Sequence, residues 1–160
     1  MLWLLLLLVP LLAAGAMHLA ARHSRTAPPT YGLADGQLRP CPSTPNCVGS
    51  EQGTSRAGER IAPLHLGGRS PEEAWAVLQR VVRAEGGELA VVTSDYLVAT
   101  FRTPLFGFID DLEARLDQNA RMIHLRSASR VGRSDFDANR KRVVRITALF
   151  DEAHHGREMK

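Results

Sequence analysis

The pattern of apolar and polar positions divides the chain into an apolar leader and one folded region. Leu2 to Ala21 is almost uninterrupted apolar sequence, densest at Leu2, Leu4 to Leu8, Leu11 and Leu12. Such a run is long enough to cross the hydrocarbon core of a bilayer as a helix. Residues 22–38 carry Pro, Gly, Thr and Arg without periodicity and read as a linker. Further on, Ser70-Pro71-Glu72-Glu73 joins an N-cap serine, a proline at the first helical position and a glutamate three residues after the cap. Ala74, Trp75, Leu78, Val81 and Val82 then recur at helical spacing, and Gly86-Gly87 stops the helix.

The period next changes from helical to two. Glu88 to Thr93 and Tyr96 to Phe101 flank a turn at Ser94-Asp95 and predict a hairpin. In Phe108 to Asp117, Phe108, Leu112, Ala114 and Leu116 share one face, and Ile109, Asp111, Glu113 and Arg115 the other. Asp110 is an acid on the apolar face. A turn at Asn119-Ala120 sets the strand Arg121 to Ser127 against it, pairing Leu116 with Ile123, Ala114 with Leu125 and Leu112 with Ser127. A slip by one residue would turn the apolar set outward. The same register places Glu113 opposite Arg126 and Asp110 opposite Ser129. Ser134 or Asp135 then caps a helix whose stripe is Phe136, Asn139, Val143, Ile146 and Phe150. Residues 152–160 read as a polar tail. The predicted fold is α+β in two layers over 39–151: a helix, a four-stranded antiparallel meander and a second helix, both helices on one face.

Composition adds little chemistry. The net charge is +3 and the predicted pI about 9.3, an excess too small to point to nucleic acid. Most of the basic residues are arginines with acids nearby. Cys41 and Cys47, in PCPSTPNC, read as a disulfide staple of an oxidising compartment. Zinc and a redox dithiol are weaker readings, because no second pair and no C-x-x-C is present. Ala14-Gly15-Ala16 fits a signal-peptide cleavage site, so residues 1–21 are either a signal peptide or a transmembrane anchor. Arg22 and Arg25 after the run, with no basic residue before it, would put the domain in the cytoplasm by the positive-inside rule. The cysteine pair argues for the opposite side. The expectation is an extracytoplasmic (periplasmic) domain, anchored through residues 2–21 or secreted.

Candidate chemistry concentrates in Arg126 to Arg142, RSASRVGRSDFDANRKR, at a strand-to-helix junction. The register brings it beside Asp110, Asp111 and Glu113. A carboxylate facing the helices must be paired or hydrogen-bonded. Ser127, Ser129 and Asn139 offer hydrogen bonds to Asp110, and Arg130 or Arg140 offers charge.

CPSTPNCV, DYLVATF, FGFIDDLEARLD and RSASRVGRSDFDANRKRV resemble the bacterial and plant domain-of-unknown-function family 1499, over about Arg39 to Phe150. The resemblance implies an exported or membrane-associated domain and supplies no activity. Some relatives are lipoproteins, whereas this chain lacks a lipobox cysteine.

Three functions compete for the network of Asp110, Asp111, Glu113, Arg126, Ser127, Ser129, Arg130, Ser134, Asp135, Asn139 and Arg140. In the first, a non-catalytic envelope module binds a partner protein or a small anion, with Arg126, Arg130 and Arg140 as the grip and Arg126 the most available. In the second, a hydrolase uses Asp111 and Glu113, whose Cα atoms on one strand face lie roughly 6.5–7 Å apart. In the third, the network is purely structural. His124 reads as solvated rather than catalytic. No cofactor or metal is implied.

Overall fold

The computed structural model describes residues 2–51 and 57–158; for residues 2–7, 57 and 154–158 the backbone alone is described. Helix α1 spans Leu2–Thr26. Strands β1 (Leu33–Ala34) and β2 (Gln37–Leu38) form a small hairpin. There follow β3 (Cys47–Gly49), β4 (Leu64–His65), α2 (Pro71–Ala84), β5 (Glu88–Val92), β6 (Tyr96–Arg102), β7 (Ile109–Asp117), β8 (Met122–Ser129) and α3 (Ala138–Glu158). The main sheet is antiparallel in the order β3-β8-β7-β6-β5, and β4 pairs with the first residues of β8. The class is α+β, as the periodicity predicts. Two short strands widen the meander at its β8 edge. Strands of two or three residues carry no period, so nothing in the pattern marks them.

Local chemistry accounts for the principal boundaries. Ser70 accepts the Glu73 N–H and Glu73 accepts the Ser70 N–H, a complete capping box at the start of α2. Gly86 follows the helix in the left-handed region (φ 86). Gly87 must be glycine for another reason. A Cβ there would lie 2.7 Å from the Phe101 ring and 2.7 Å from a Val82 methyl. The register of β7 and β8 is the expected one, Leu112 against Ser127 and Leu116 against Ile123. The turn is wider than two residues: Asp117 pairs with Met122, the Asp117 carboxylate accepts the Ala120 N–H, and Arg121 takes a left-handed φ of 53.

Helices α2 and α3 cover one face of the sheet. Trp75, Leu78 and Val82 of α2 and Val143, Ile146 and Phe150 of α3 pack on Leu97, Ala99, Leu112, Ala114, Ile123 and Leu125. The Trp75 indole donates to the Thr93 carbonyl. Phe136 does not join this stripe. It precedes the helix, has a left-handed φ of 53 and is 83% exposed, so helical spacing does not apply to it. Residues 152–158 continue α3 rather than forming a separate tail, and 159–160 lie outside the described residues.

The second face of the sheet is also covered. Residues 22–38, expected as a linker, continue α1 to Thr26 and then lie along β7 as a strap. Ala21, Ser24, Ala27 and Leu38 are buried in doing so. The rest of α1 behaves differently: Leu8, Val9, Leu11, Leu12 and Leu19 are 50–69% exposed. Among the described residues no helix is long and apolar enough to cross a membrane, and the side chains of Leu2 to Leu7, where the apolar run begins, lie outside the described residues. Cys41 and Cys47 form a disulfide with a Cα separation of 5.6 Å.

Gly87→Ala is expected to destabilise the fold by about 1–3 kcal/mol, through overpacking against Phe101 and Val82. Urea unfolding of the full chain checks it: the midpoint falls while the slope stays constant. An unchanged midpoint contradicts the close approach.

Candidate functional site

Three acids in β7 dominate the polar chemistry. Asp110, Asp111 and Glu113 are 2%, 0% and 0% exposed. Isolated carboxylates at that depth would cost several kcal/mol each, so each must find a cation or several donors. Strand alternation sends Asp110 to the helix side and Asp111 and Glu113 to the strap side.

On the helix side, Asp110 takes Arg142 of α3 at 2.7 Å. The same guanidinium lies 4.4 Å over the Phe101 ring and donates to Ser127 Oγ at 3.0 Å and Asn139 Oδ1 at 2.6 Å. Ser127 in turn donates to Asn139 Oδ1. The Asn139 amide donates towards Ser129 Oγ, the Asn46 carbonyl and Asp135. Asp135 also accepts the Asn139 N–H and so caps the start of α3. This cluster ties α3 to β7, β8 and the Cys47 segment.

On the strap side, Asp111 receives a forked grip from Arg130, with contacts of 2.7, 3.0 and 3.1 Å. Those hydrogen bonds, with the Coulomb attraction of Asp111, hold the Arg130 guanidinium above the ordinary arginine pKa against the opposing pull of burial. The Thr30 N–H and hydroxyl complete Asp111. Glu113 takes Arg126 at 2.7 Å, the Tyr96 hydroxyl at 2.7 Å and the Gly32 N–H at 2.8 Å. Arg126 also donates to the Thr30 carbonyl. Next along the strap, Glu51 accepts Arg115 at 2.6 Å and the Leu38 N–H at 3.4 Å.

The expected residues therefore divide. Asp110, Ser127, Ser129, Asp135 and Asn139 meet in one cluster, and Asp111, Glu113, Arg126 and Arg130 form two pairs on the opposite face. Arg126 is not free, with only 3% of its side chain exposed. Arg130 serves Asp111 and not Asp110, because strand alternation carries it to the other face. Arg140 turns to the carbonyls of Gly58 and Arg60. Ser134 is exposed and, among the described residues, its hydroxyl accepts the Phe136 N–H. Arg142, Asn46, Tyr96, Thr30 and Gly32 escape the sequence reading. Arg142 was the most accessible of them, since it lies three residues after Asn139 on the same helix face. Thr30 and Gly32 had no signal in a segment without period.

This arrangement is poorly suited to acid–base chemistry. Asp111 and Glu113 share a face, but each is enclosed and saturated by donors. Ser50, His124 and Glu51 are the other suggestive group. His124 is half-buried rather than solvated, with Ser50 Oγ at 3.3 Å and Glu51 at 3.8 Å. Both contacts fall on Nδ1, whereas a relay needs the serine and the acid on opposite ring nitrogens. Ser50 is moreover bonded to the backbone of Leu125. Among the described residues no group of three or more His, Cys, Asp or Glu can hold a metal.

Asp110→Ala leaves the Arg142 guanidinium buried without its partner and is expected to cost about 3–5 kcal/mol. Arg142→Met paired with Asp110→Leu is expected to recover much of that loss, because no uncompensated charge remains. Arg140→Ala removes only solvent-exposed hydrogen bonds to the Gly58 and Arg60 carbonyls and is expected to cost no more than about 1 kcal/mol. Chemical denaturation of the four chains decides, and a harmless Asp110→Ala contradicts the buried pair. A second expectation concerns Tyr96. Burial, then its hydrogen bond to Glu113, raises its pKa far above the ordinary value of 10.0. A raised folded-state pKa gives stability that is present below the unfolded value and lost as pH rises beyond it. Tyrosinate absorbance from Tyr96 should therefore appear only together with alkaline unfolding. Its ionisation in a folded chain near pH 10, isolated by comparison with Tyr96→Phe, contradicts the Glu113 contact.

No curated protein matches the chain. A family profile does, over residues 37–150, which span the disulfide loop, the main sheet, α2 and α3 up to Phe150. The chain belongs to the DUF1499 family of proteins of unknown function.

Proposed function

We propose that the protein is a non-catalytic interaction module of the cell envelope, anchored through the apolar part of α1 with its domain outside the cytoplasm. One observation carries this reading. The buried acids on the strap side hold the segment that follows the apolar helix: Asp111 holds Thr30, and Glu113 holds Gly32. The charge constellation thus fastens an anchor to a sheet. A hydrolase needs a carboxylate that substrate can reach, and both of its candidates are spent here.

Two further features support the reading. The leucines of α1 from Leu8 to Leu19 are left exposed, which is costly in water and favourable in lipid. The disulfide suits an oxidising compartment. Export with cleavage after Ala16 would place the same domain in the same compartment without the anchor.

The test uses the full chain expressed in a bacterial host. The protein is expected in the membrane fraction after an alkaline carbonate wash, with an intact N-terminus by mass spectrometry and thiols that alkylate only after reduction. Asp111→Asn with Glu113→Gln should leave it in the membrane and speed proteolysis between Thr26 and Leu33 by at least tenfold, the equivalent of about 1.4 kcal/mol of lost local stability. Soluble cytoplasmic protein with free thiols overturns the envelope assignment. Unchanged proteolysis overturns the fastening role.

A further inference from the structure

The strap fixes where the anchor leaves the domain. It runs alongside β7 in the same direction, Thr30 meeting Asp111 and Gly32 meeting Glu113. The helix before it must therefore depart past the start of β7. Two contacts agree: Ser24 Oγ accepts the Ile109 N–H at 3.1 Å, and Arg25 donates to the carbonyls of Phe106 and Gly107. At this end of the sheet β6 stops, β7 starts and β8 stops.

The same end carries the most exposed large apolar side chains described. Leu105, in the β6–β7 connection, is 82% exposed, and Phe136, after β8, is 83% exposed. Pro104, the neighbour of Leu105 in the chain, lines one open groove of about 410 Å³ together with Thr103, Phe136 and Lys141. Arg102 and Arg133 are exposed and have no acidic partner among the described residues. Lys141 is exposed as well, and among the described residues its side chain donates to the Phe136 carbonyl. The groove's acids are engaged: Glu85 takes Arg145, and Asp135 caps α3. One exposed acid, Asp137 beside Phe136, has no cationic partner among the described residues, so three cations stand against one carboxylate at this end. Exposed apolar tips with a net positive surround form the pattern that seats a protein on an anionic bilayer surface.

We propose that this end of the sheet rests on the membrane, with Leu105 and Phe136 entering the interfacial layer and Arg102, Arg133 and Lys141 meeting anionic phospholipid headgroups. The proposal rests on the reading of α1 as an anchor, which brings these groups to the lipid. It gives the domain one orientation, with the β7–β8 turn at the opposite end facing away.

The experiment reconstitutes the full chain, disulfide intact, into vesicles of phosphatidylcholine with or without phosphatidylglycerol. Leu105→Cys, Phe136→Cys and, as the far-end control, Asn119→Cys each carry an environment-sensitive dye. With phosphatidylglycerol, dyes at 105 and 136 are expected to be quenched by a lipid-borne quencher at least threefold more than the dye at 119. Replacing Arg102, Arg133 and Lys141 together by glutamine should abolish that difference while the thermal melt is retained. Equal quenching at all three positions, with the chain still resisting the carbonate wash, overturns the docking and leaves the anchor standing. Release by the wash overturns the anchor and the docking together. Full quenching in phosphatidylcholine alone overturns the headgroup assignment.

Discussion

Three carboxylates within four residues of a central strand are the constraint on which the rest of this structure depends. Desolvating a carboxylate or a guanidinium costs several kcal/mol per ion, and the attraction between them at contact distance returns about 4 kcal/mol at the effective dielectric of a protein. The two effects nearly cancel, so the pairs add little net stability. Their force lies in what happens when they are broken. An arrangement that separates Asp110 from Arg142, or Glu113 from Arg126, leaves a buried charge alone, and such arrangements are excluded. The pairs therefore select one position for each segment that carries a partner.

Those segments explain the architecture. The Asp110 pair holds the first turns of α3, where an apolar stripe alone would permit rotation or sliding. The Asp111 and Glu113 pairs create two anionic sockets on the other face, and the strap fills them with the N–H groups of Thr30 and Gly32. Arginine suits these positions better than lysine would. Arg130 uses a planar fork on Asp111, and Arg142 combines an ion pair with a stacked aromatic face and two further donations. One strand thus clamps a helix on one side and the exit of the apolar leader on the other. On the proposed reading of α1 as an anchor, that exit would orient the domain, with the exposed groups at this end of the sheet turned to the lipid.

Much of this was legible from residue order. The capping box of α2, the hairpins and the register of β7 on β8 rest on contacts between residues near in sequence, and period two leaves few registers that bury every apolar side chain. The Glu113–Arg126 pair follows from that register directly. The partner of Asp110 does not. Arg130, Arg140 and Arg142 lie close together in the chain, and the choice depends on which face of β8 and of α3 each occupies. Phe136 shows a related limit, since an apolar residue in helical phase means nothing when two left-handed residues precede the helix.

The sequence by itself determined the class of the fold, the order of its principal elements, the cysteine pair and the family, because each is written in local spacing or in a contiguous motif. Only the tertiary structure decided that residues 22–38 are not a tether in solvent, that Asp111 and Glu113 are buried beneath them, and that Arg142 rather than Arg130 answers Asp110. The physical reason is the same in each case. A strap of backbone N–H groups has no side-chain pattern, so its place is set by the acids it satisfies, some eighty residues further along the chain.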